Sequence, residues 1–144
     1  MNRRETALDI FDRGFNCCQA VLDAYCDEFS LDRTTALKIA AGFGGGMRKG
    51  EVCGAVTGAL MVLGLRYGHS IEGDVATKKN AYDIVAGFME QFAQRHQGTV
   101  LCRTLLGYDI SRKEEYERAA AAGVFTSVCP AMIGDAVEIL ETLL

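Results

Sequence analysis

Cysteine is the residue type in this 144-residue chain with the clearest potential for chemistry, and it occurs six times. A cysteine thiolate is both a nucleophile and a ligand for soft metal ions, so the candidate activities are thiol–disulfide exchange and metal binding. The chain has no CxxC pair, and its wide cysteine spacing matches no zinc-ribbon, ferredoxin or thioredoxin motif. Any site must therefore be assembled by the fold. The six residues are Cys17, Cys18, Cys26, Cys53, Cys102 and Cys129.

The elements that position these cysteines are predicted to be helices. Apolar residues repeat with a helical period almost everywhere, and no stretch alternates like a strand between hairpin turns. We therefore predict an all-α fold, a single helical domain over residues 1–144 with about six to seven helices. The eight segments with a helical pattern, from which these helices are expected to form, are Arg3–Arg13, Asn16 (as cap) to about Phe29, Ser30 or Asp32 to Ala41, Glu51–Tyr67, Glu72–His96, Val100–Leu106, Ser111–Ala122 and Pro130–Leu144. Ser111-x-x-Glu114 is typical of a capping box, and Pro130 of a first helical position.

Most of the cysteines fall at the predicted helix starts. A helix N-terminus has unpaired N–H groups and a positive dipole end, and both lower the pKa of a cysteine thiol from its usual value of about 8.5. Cys26 alone lies in the middle of a predicted helix. The cysteines predicted in a first helical turn are Cys17, Cys18, Cys53, Cys102 and Cys129.

Cys53 is the preferred nucleophile among these residues, because the cations Arg48 and Lys49 precede it closely in sequence. Cys17 is the second candidate, since it directly follows the predicted cap. We interpret Cys18 and Cys26 as packed core residues, because cysteine also behaves as a small hydrophobic residue.

Glycines surround Cys53 on both sides. The segment from Gly42 to Gly50 is too rich in glycine to stay helical and is predicted to be a loop. It is not a phosphate-binding loop, since Glu51-Val52 occupies the positions where a lysine and a hydroxyl residue are needed. Gly54 and Gly58 give the next helix a smooth face, which predicts close approach of another helix, and of another cysteine, to Cys53.

The composition of the chain excludes some classes of binding partner. The net charge of −4 and the scattered basic residues provide no positive stripe for a nucleic acid. The most apolar stretch, Val52–Leu65, is shorter than the ~20 residues that span a bilayer, and no signal peptide is recognisable, so we expect a cytoplasmic protein that does not contact a membrane. His69 and His96 are interpreted as surface residues. An apolar fraction of 49% permits a homodimer.

Several motifs together resemble a known family, the redox-active proteins named for a C…GCAxxG…C…C cysteine pattern. The residues that carry the resemblance are Gly14-Phe15-Asn16-Cys17, Gly44-Gly45-Gly46-Met47, Cys53-Gly54-Ala55-Val56-Thr57-Gly58-Ala59-Leu60, Cys102 and Val128-Cys129-Pro130. The resemblance implies a small helical protein that uses four cysteines for redox chemistry, or to hold a metal or an iron–sulfur cluster. Those four are Cys17, Cys53, Cys102 and Cys129, with Cys18 beside Cys17 as a rival for the first position.

Four hypotheses follow from these observations. The first is electron transfer to a redox partner protein through an iron–sulfur cluster, or another thiolate-bound metal, held by the four cysteines. The second needs no cofactor and is thiol–disulfide exchange, in which Cys53 attacks a protein or small-thiol disulfide and a second cysteine resolves the intermediate. The third is a non-catalytic zinc module with the same four ligands. The fourth is a helical interaction domain with packed cysteines.

Overall fold

Helices make up 72% of the computed structural model, which describes residues 1–144. It contains no strand, and extended pairing is limited to one antiparallel bridge between Val52 and Leu101. The predicted all-α class is confirmed, with eight α-helices rather than six to seven. They are α1 (Arg3–Asp12), α2 (Cys17–Asp23), α3 (Arg33–Ala40), α4 (Gly54–Tyr67), α5 (Val75–Arg95), α6 (Cys102–Leu106), α7 (Lys113–Ala121) and α8 (Val124–Leu143).

Helix α2 begins at its predicted cap but ends earlier than predicted. The Asn16 side chain accepts a hydrogen bond from the N–H of Gln19 at 2.9 Å, and the Gln19 side chain accepts one from the N–H of Asn16 at 2.9 Å. This reciprocal capping box satisfies two N–H groups that the helix itself leaves unpaired. The helix stops short of Phe29, at a point where the carbonyl of Ala24 accepts a hydrogen bond from Arg3 at 2.6 Å.

Helix α4 lies at the centre of the core and packs most extensively against α2. A Cβ atom on Gly58 would lie 2.8 Å from the carbonyl oxygen of Cys18, so only glycine allows the two helices to come this close. The predicted smooth face of α4 is therefore confirmed. Helices α5 and α8 pack against other sides of α4. The largest fully buried side chains of this core are Tyr25, Phe88, Phe92, Leu63, Ile133, Ile139 and Leu140.

Helix α8 begins six residues before Pro130, at Val124, so the prediction that Pro130 opens it is wrong. Gly123 precedes the helix with a positive φ of 75° and allows the chain to reverse after α7. Phe125 and Val128 then pack against a second, smaller apolar cluster around Cys102. This packing stabilises an extra helical turn before the proline, at the cost of the hydrogen bond that proline cannot donate.

Helix α7 begins without the predicted capping box. Ser111 donates its N–H at 3.1 Å and its hydroxyl at 2.5 Å to the carboxylate of Asp109. Glu115 accepts a hydrogen bond from the N–H of Asp109 at 3.0 Å. The box between Ser111 and Glu114 is thus replaced by a turn centred on Asp109, because that nearby carboxylate competes successfully for the serine hydroxyl.

No single helix is both long enough and apolar enough for a membrane span. Helices α7 and α8 reach the required length and composition only when they are taken together, and their axes are bent by 84°.

Candidate functional site

Four of the six cysteines line one cavity of about 270 Å³. Cys17 comes from the start of α2, Cys53 from the residue before α4, Cys102 from the start of α6 and Cys129 from the second turn of α8. These are the four residues selected in the sequence, and the fold brings them together from distant positions. The rest of the wall is mainly apolar and includes Phe11, Leu105, Leu106, Ile110, Phe125 and Met132.

Cys53 and Cys102 are brought together by the single β-bridge of the protein. Val52 and Leu101 pair in antiparallel fashion. The N–H of Cys53 donates to the carbonyl of Val100 at 2.8 Å, and the N–H of Cys102 donates to the carbonyl of Glu51 at 2.6 Å. Residues 51–53 are therefore extended, and α4 begins at Gly54 rather than at Glu51 as predicted. The bridge fixes the two cysteines on either side of the Val52–Leu101 pair, each next to the start of a different helix.

Cys17 is the cysteine that the structure stabilises as a thiolate. A hydrogen bond from the thiol of Cys53 lowers its pKa to about 6, and further hydrogen bonds from the N–H groups of Gly45, Cys18 and Cys17 itself act in the same direction. Burial opposes this shift but does not cancel it. The position of Cys17 in the first turn of α2 supplies two of these N–H groups, as the sequence predicted for a helix start.

The pKa of Cys53 is shifted in the direction opposite to the one predicted from the sequence. Its pKa is raised well above the ordinary value because its thiol donates to the sulfur of Cys17, and burial adds to the effect. The expectation that Cys53 carries the lowered pKa is therefore wrong. Because the two thiols interact directly, they titrate as a pair, and the lower pKa falls at Cys17.

Cys102 and Cys129 complete the cavity as thiols. Burial raises the pKa of Cys102 to about 11 and that of Cys129 to about 12, and the nearby Cys17 charge adds to both shifts. The expectation of a helix-start position for Cys129 is wrong, because α8 begins at Val124 and the thiol lies within the helix. Cys129 is the least buried of the six cysteines.

The remaining two cysteines face away from the cavity. Cys18 is fully buried beside Met61, with its sulfur 3.8 Å from the methionine sulfur. The sulfur of Cys26 lies 3.6 Å from the carbonyl oxygen of Leu22. Burial raises the pKa of Cys18 to about 12 and that of Cys26 to about 11. Both are packed residues, which agrees with their interpretation from the sequence.

The glycine-rich segment before Cys53 forms a left-handed turn. Residues 45–48 all have φ between 57° and 63°, including the non-glycine residues Met47 and Arg48. A Cβ atom on Gly46 would collide with the backbone of Glu51, so glycine is required there. Two non-glycine residues in this region cost about 1–2 kcal/mol each. The turn directs the N–H of Gly45 to Cys17 and places Arg48 at the cavity.

The sequence was also compared with models of protein families. Residues 15–143 match the family described as "Putative redox-active protein (C_GCAxxG_C_C)". The chain belongs to this family. The matched range of this C_GCAxxG_C_C protein includes all four cavity cysteines, and the resemblance noted in the sequence is confirmed. Neither the search of curated proteins nor the search of solved structures found a match.

The cysteine cavity of the C_GCAxxG_C_C protein differs in how well it fits a single metal ion and a cluster of several iron atoms. No group of three histidine, cysteine or carboxylate side chains is arranged to hold one metal ion. The cavity therefore does not fit the single tetrahedral ion of the zinc hypothesis. An iron–sulfur cluster is a different case, because each thiolate binds its own iron atom and the four sulfurs need not converge on one point. The four cysteines that line the cavity supply the number and type of ligands that an iron–sulfur cluster needs.

The two histidines lie outside the cavity. His69 is exposed, as predicted. His96 is not a surface residue, since its side chain is only 14% exposed and its Nε2 atom lies 2.8 Å from the carboxylate of Asp135. Its ring also lies 4.6 Å from the ring of Phe92. Local sequence does not indicate this packing, because Asp135 comes from a different helix.

The lowered pKa of Cys17 predicts that stability depends on pH. Between about pH 6 and the unfolded-state value of about 8.5, the folded protein holds a thiolate at Cys17 and the unfolded chain holds a thiol. The unfolded state then binds more protons, so the free energy of unfolding rises with pH across this window and the contribution is lost as pH falls through 6. Urea unfolding of reduced, metal-free protein at pH 6.0 and 8.0 checks this, and the rise is expected to disappear in Cys17→Ser. An equal rise in that variant would contradict the assignment.

Proposed function

We propose that this protein is a thiol–disulfide redox protein in which Cys17 and Cys53 cycle between a dithiol and a disulfide. The observation that carries the proposal is the close approach of the two cysteines: a Cβ atom on Gly54, the residue after Cys53, would overlap the Cys17 sulfur, and both cysteines line the same cavity. A thiolate in contact with a thiol is the arrangement that thiol–disulfide exchange needs, since one sulfur attacks and the other resolves. Membership of a family named for redox activity supports the same class of chemistry.

The reaction sequence begins with the Cys17 thiolate attacking one sulfur of an acceptor disulfide. The acceptor S–S bond breaks, one acceptor sulfur leaves as a thiolate, and the other forms a mixed disulfide with Cys17. Cys53 then gives its proton to the acceptor thiolate that has already left and attacks the sulfur of Cys17. The mixed disulfide breaks, and the second acceptor sulfur leaves as a thiolate. The products are a Cys17–Cys53 disulfide, one acceptor thiol and one acceptor thiolate, so two electrons pass from the protein to the acceptor. The preferred attacker is therefore Cys17, with Cys53 in the resolving role.

A redox titration of the metal-free protein tests this function. The protein is equilibrated anaerobically with dithiol/disulfide buffers of graded potential, and the remaining thiols are alkylated and counted by intact mass. We expect two of the six thiols to disappear in one two-electron transition, in which a tenfold change of the buffer ratio corresponds to 29.6 mV. Retention of all six thiols across the range in which strong dithiols oxidise would overturn the proposal.

A second candidate function is electron transfer through an iron–sulfur cluster held by all four cavity cysteines. The positions of Cys102 and Cys129 favour it. Both line the same cavity as Cys17 and Cys53, and thiol–disulfide exchange by one pair of cysteines would leave them without a role. When bound, such a cluster supplies one-electron chemistry. The chain would contribute four thiolates, an apolar wall that excludes water and the N–H of Gly45 beside Cys17.

Cys102→Ser separates the two candidates. Serine keeps the size of the side chain but removes the soft ligand, so iron and acid-labile sulfide in anaerobically purified protein should fall sharply if the cluster is the resident group. The two-electron dithiol transition should persist, because neither Cys17 nor Cys53 is changed. Wild-type protein without iron or sulfide, grown with iron in excess, would exclude the cluster and leave the dithiol function.

A further inference from the structure

The cavity beside the cysteines has the size and wall of a small-ligand site. Its volume of about 270 Å³ lies just below the range of about 300–1,000 Å³ typical of ligand pockets. The wall combines the four cysteines with aliphatic and aromatic side chains, among them Leu105, Ile110 and Phe125. A wall of this kind favours an apolar body about the size of one substituted aromatic ring.

One cation stands at the mouth of this cavity without an acidic partner. Arg48 lines the cavity, is exposed to solvent, and forms no ion pair with any carboxylate of the protein. Its guanidinium lies over the ring of Tyr116, 5.1 Å from the ring centroid. Arg103, by contrast, pairs with Glu51 at 3.1 Å. Tyr116 thus holds the Arg48 group in place while its hydrogen-bond donors remain available to a ligand.

The backbone also fixes this arginine. Arg48 ends the left-handed turn, with φ of 61° and ψ of 12°, a conformation that side-chain-bearing residues adopt at a cost of about 1–2 kcal/mol. Strain of this kind persists where the surrounding structure imposes it, and it occurs preferentially at functional sites. Lys49, the next residue, does not line the cavity and provides a natural comparison.

We infer that the cavity selects a small disulfide with an apolar, ring-sized body and a negatively charged group, which Arg48 binds at the mouth while the sulfurs reach Cys17. This inference rests on the proposed function and adds its substrate class. A guanidinium pairs with a carboxylate through two parallel hydrogen bonds, so it discriminates an anionic ligand from a neutral one of similar shape. The covalent step is the exchange described above, with the small disulfide as the acceptor that gains two electrons.

Two aromatic disulfides test the inference. One is 5,5′-dithiobis(2-nitrobenzoate), which carries a carboxylate on each ring, and the other is 4,4′-dithiodipyridine, which is neutral at pH 7.5. The first-phase rates with anaerobically reduced protein are measured by stopped flow, and each is divided by the rate with the same chain unfolded in guanidinium chloride. The quantity compared is the ratio of the two normalised rates in wild type, Arg48→Gln, Arg48→Lys and Lys49→Gln. Circular dichroism confirms that each variant is folded.

We expect Arg48→Gln to lower the ratio of anionic to neutral rate about tenfold, which corresponds to ~1.4 kcal/mol. Arg48→Lys keeps the charge but not the two parallel hydrogen bonds, so it should retain part of the ratio, and Lys49→Gln should retain all of it. Equal ratios in wild type and Arg48→Gln, with Cys17 and Cys53 still oxidised by both reagents, would overturn this inference and leave the proposed function standing. Failure of both reagents to form the Cys17–Cys53 disulfide would overturn the proposed function and this inference with it.

Discussion

Replacing Cys53 with serine is expected to abolish the two-electron couple while leaving a reactive thiolate at Cys17. A serine hydroxyl can still donate a hydrogen bond to the Cys17 sulfur, which is the largest cause of the lowered pKa of Cys17. It cannot form a disulfide, so the resolving step is lost and a mixed disulfide with the acceptor accumulates. The measurement is the anaerobic redox titration, together with the rate of Cys17 alkylation as a function of pH.

The companion variant Cys53→Ala separates the two roles of Cys53. It also abolishes the couple, but it removes the hydrogen-bond donor, so the pKa of Cys17 should rise from about 6. Alkylation at pH 7 should slow about tenfold if the pKa reaches about 8, because the thiolate fraction at pH 7 then falls about tenfold. Cys26→Ser is the matched control, because its sulfur lies beside the Leu22 carbonyl and outside the cavity. A couple that survives in Cys53→Ser, or is lost in Cys26→Ser, would contradict the assignment of the pair.

Gly54→Ala is expected to destabilise the protein and to displace the Cys17 sulfur. A Cβ atom at this position would overlap the sulfur, and it would lie 3.0 Å from the carbonyl oxygen of Phe43 and 3.2 Å from the backbone nitrogen of Cys18. Backbone atoms on two sides cannot move away without separating α2 from α4, so overpacking should cost about 1–3 kcal/mol of unfolding free energy. The lowered pKa of Cys17 should be lost at the same time.

Gly64→Ala in the same helix provides the control for that substitution. A Cβ atom on Gly64 would meet no atom within 4 Å. Alanine is a better helix former than glycine, so this variant should gain about 0.5–1 kcal/mol. Urea unfolding of both variants and of wild type measures the two changes in unfolding free energy, which should have opposite signs. Equal effects at the two positions would show that helix propensity, and not the contact with Cys17, governs Gly54.

Features that depend on neighbouring residues could be predicted from the sequence. Asn16 caps α2 as expected, since the capping box involves only residues of the first turn. The smooth face at Gly54 and Gly58 was also predictable, because two glycines one helical turn apart leave a strip without side chains that a neighbouring backbone can approach. The selection of four cysteines depended on helix starts and on the family pattern, and the fold places all four around one cavity.

Features that depend on contacts between distant residues were not predictable. The pKa of Cys53 follows from its contact with Cys17, and charges nearby in sequence gave the wrong direction. The bridge between Val52 and Leu101 is a single residue pair, too short for any alternation pattern to reveal, yet it sets the start of α4. The start of α8 was misplaced because packing of Phe125 and Val128 outweighs the usual preference of proline for a first helical turn.

The central claim, that Cys17 and Cys53 form the redox pair, is tested most directly by mapping the disulfide. Reduced, metal-free protein is oxidised anaerobically with one equivalent of a thiol oxidant, the remaining thiols are alkylated, and tryptic peptides are fragmented by mass spectrometry without reduction. We predict a bond from Cys17 to Cys53, with Cys18 and Cys26 alkylated. A bond between Cys102 and Cys129, with Cys17 and Cys53 both alkylated, would contradict the account.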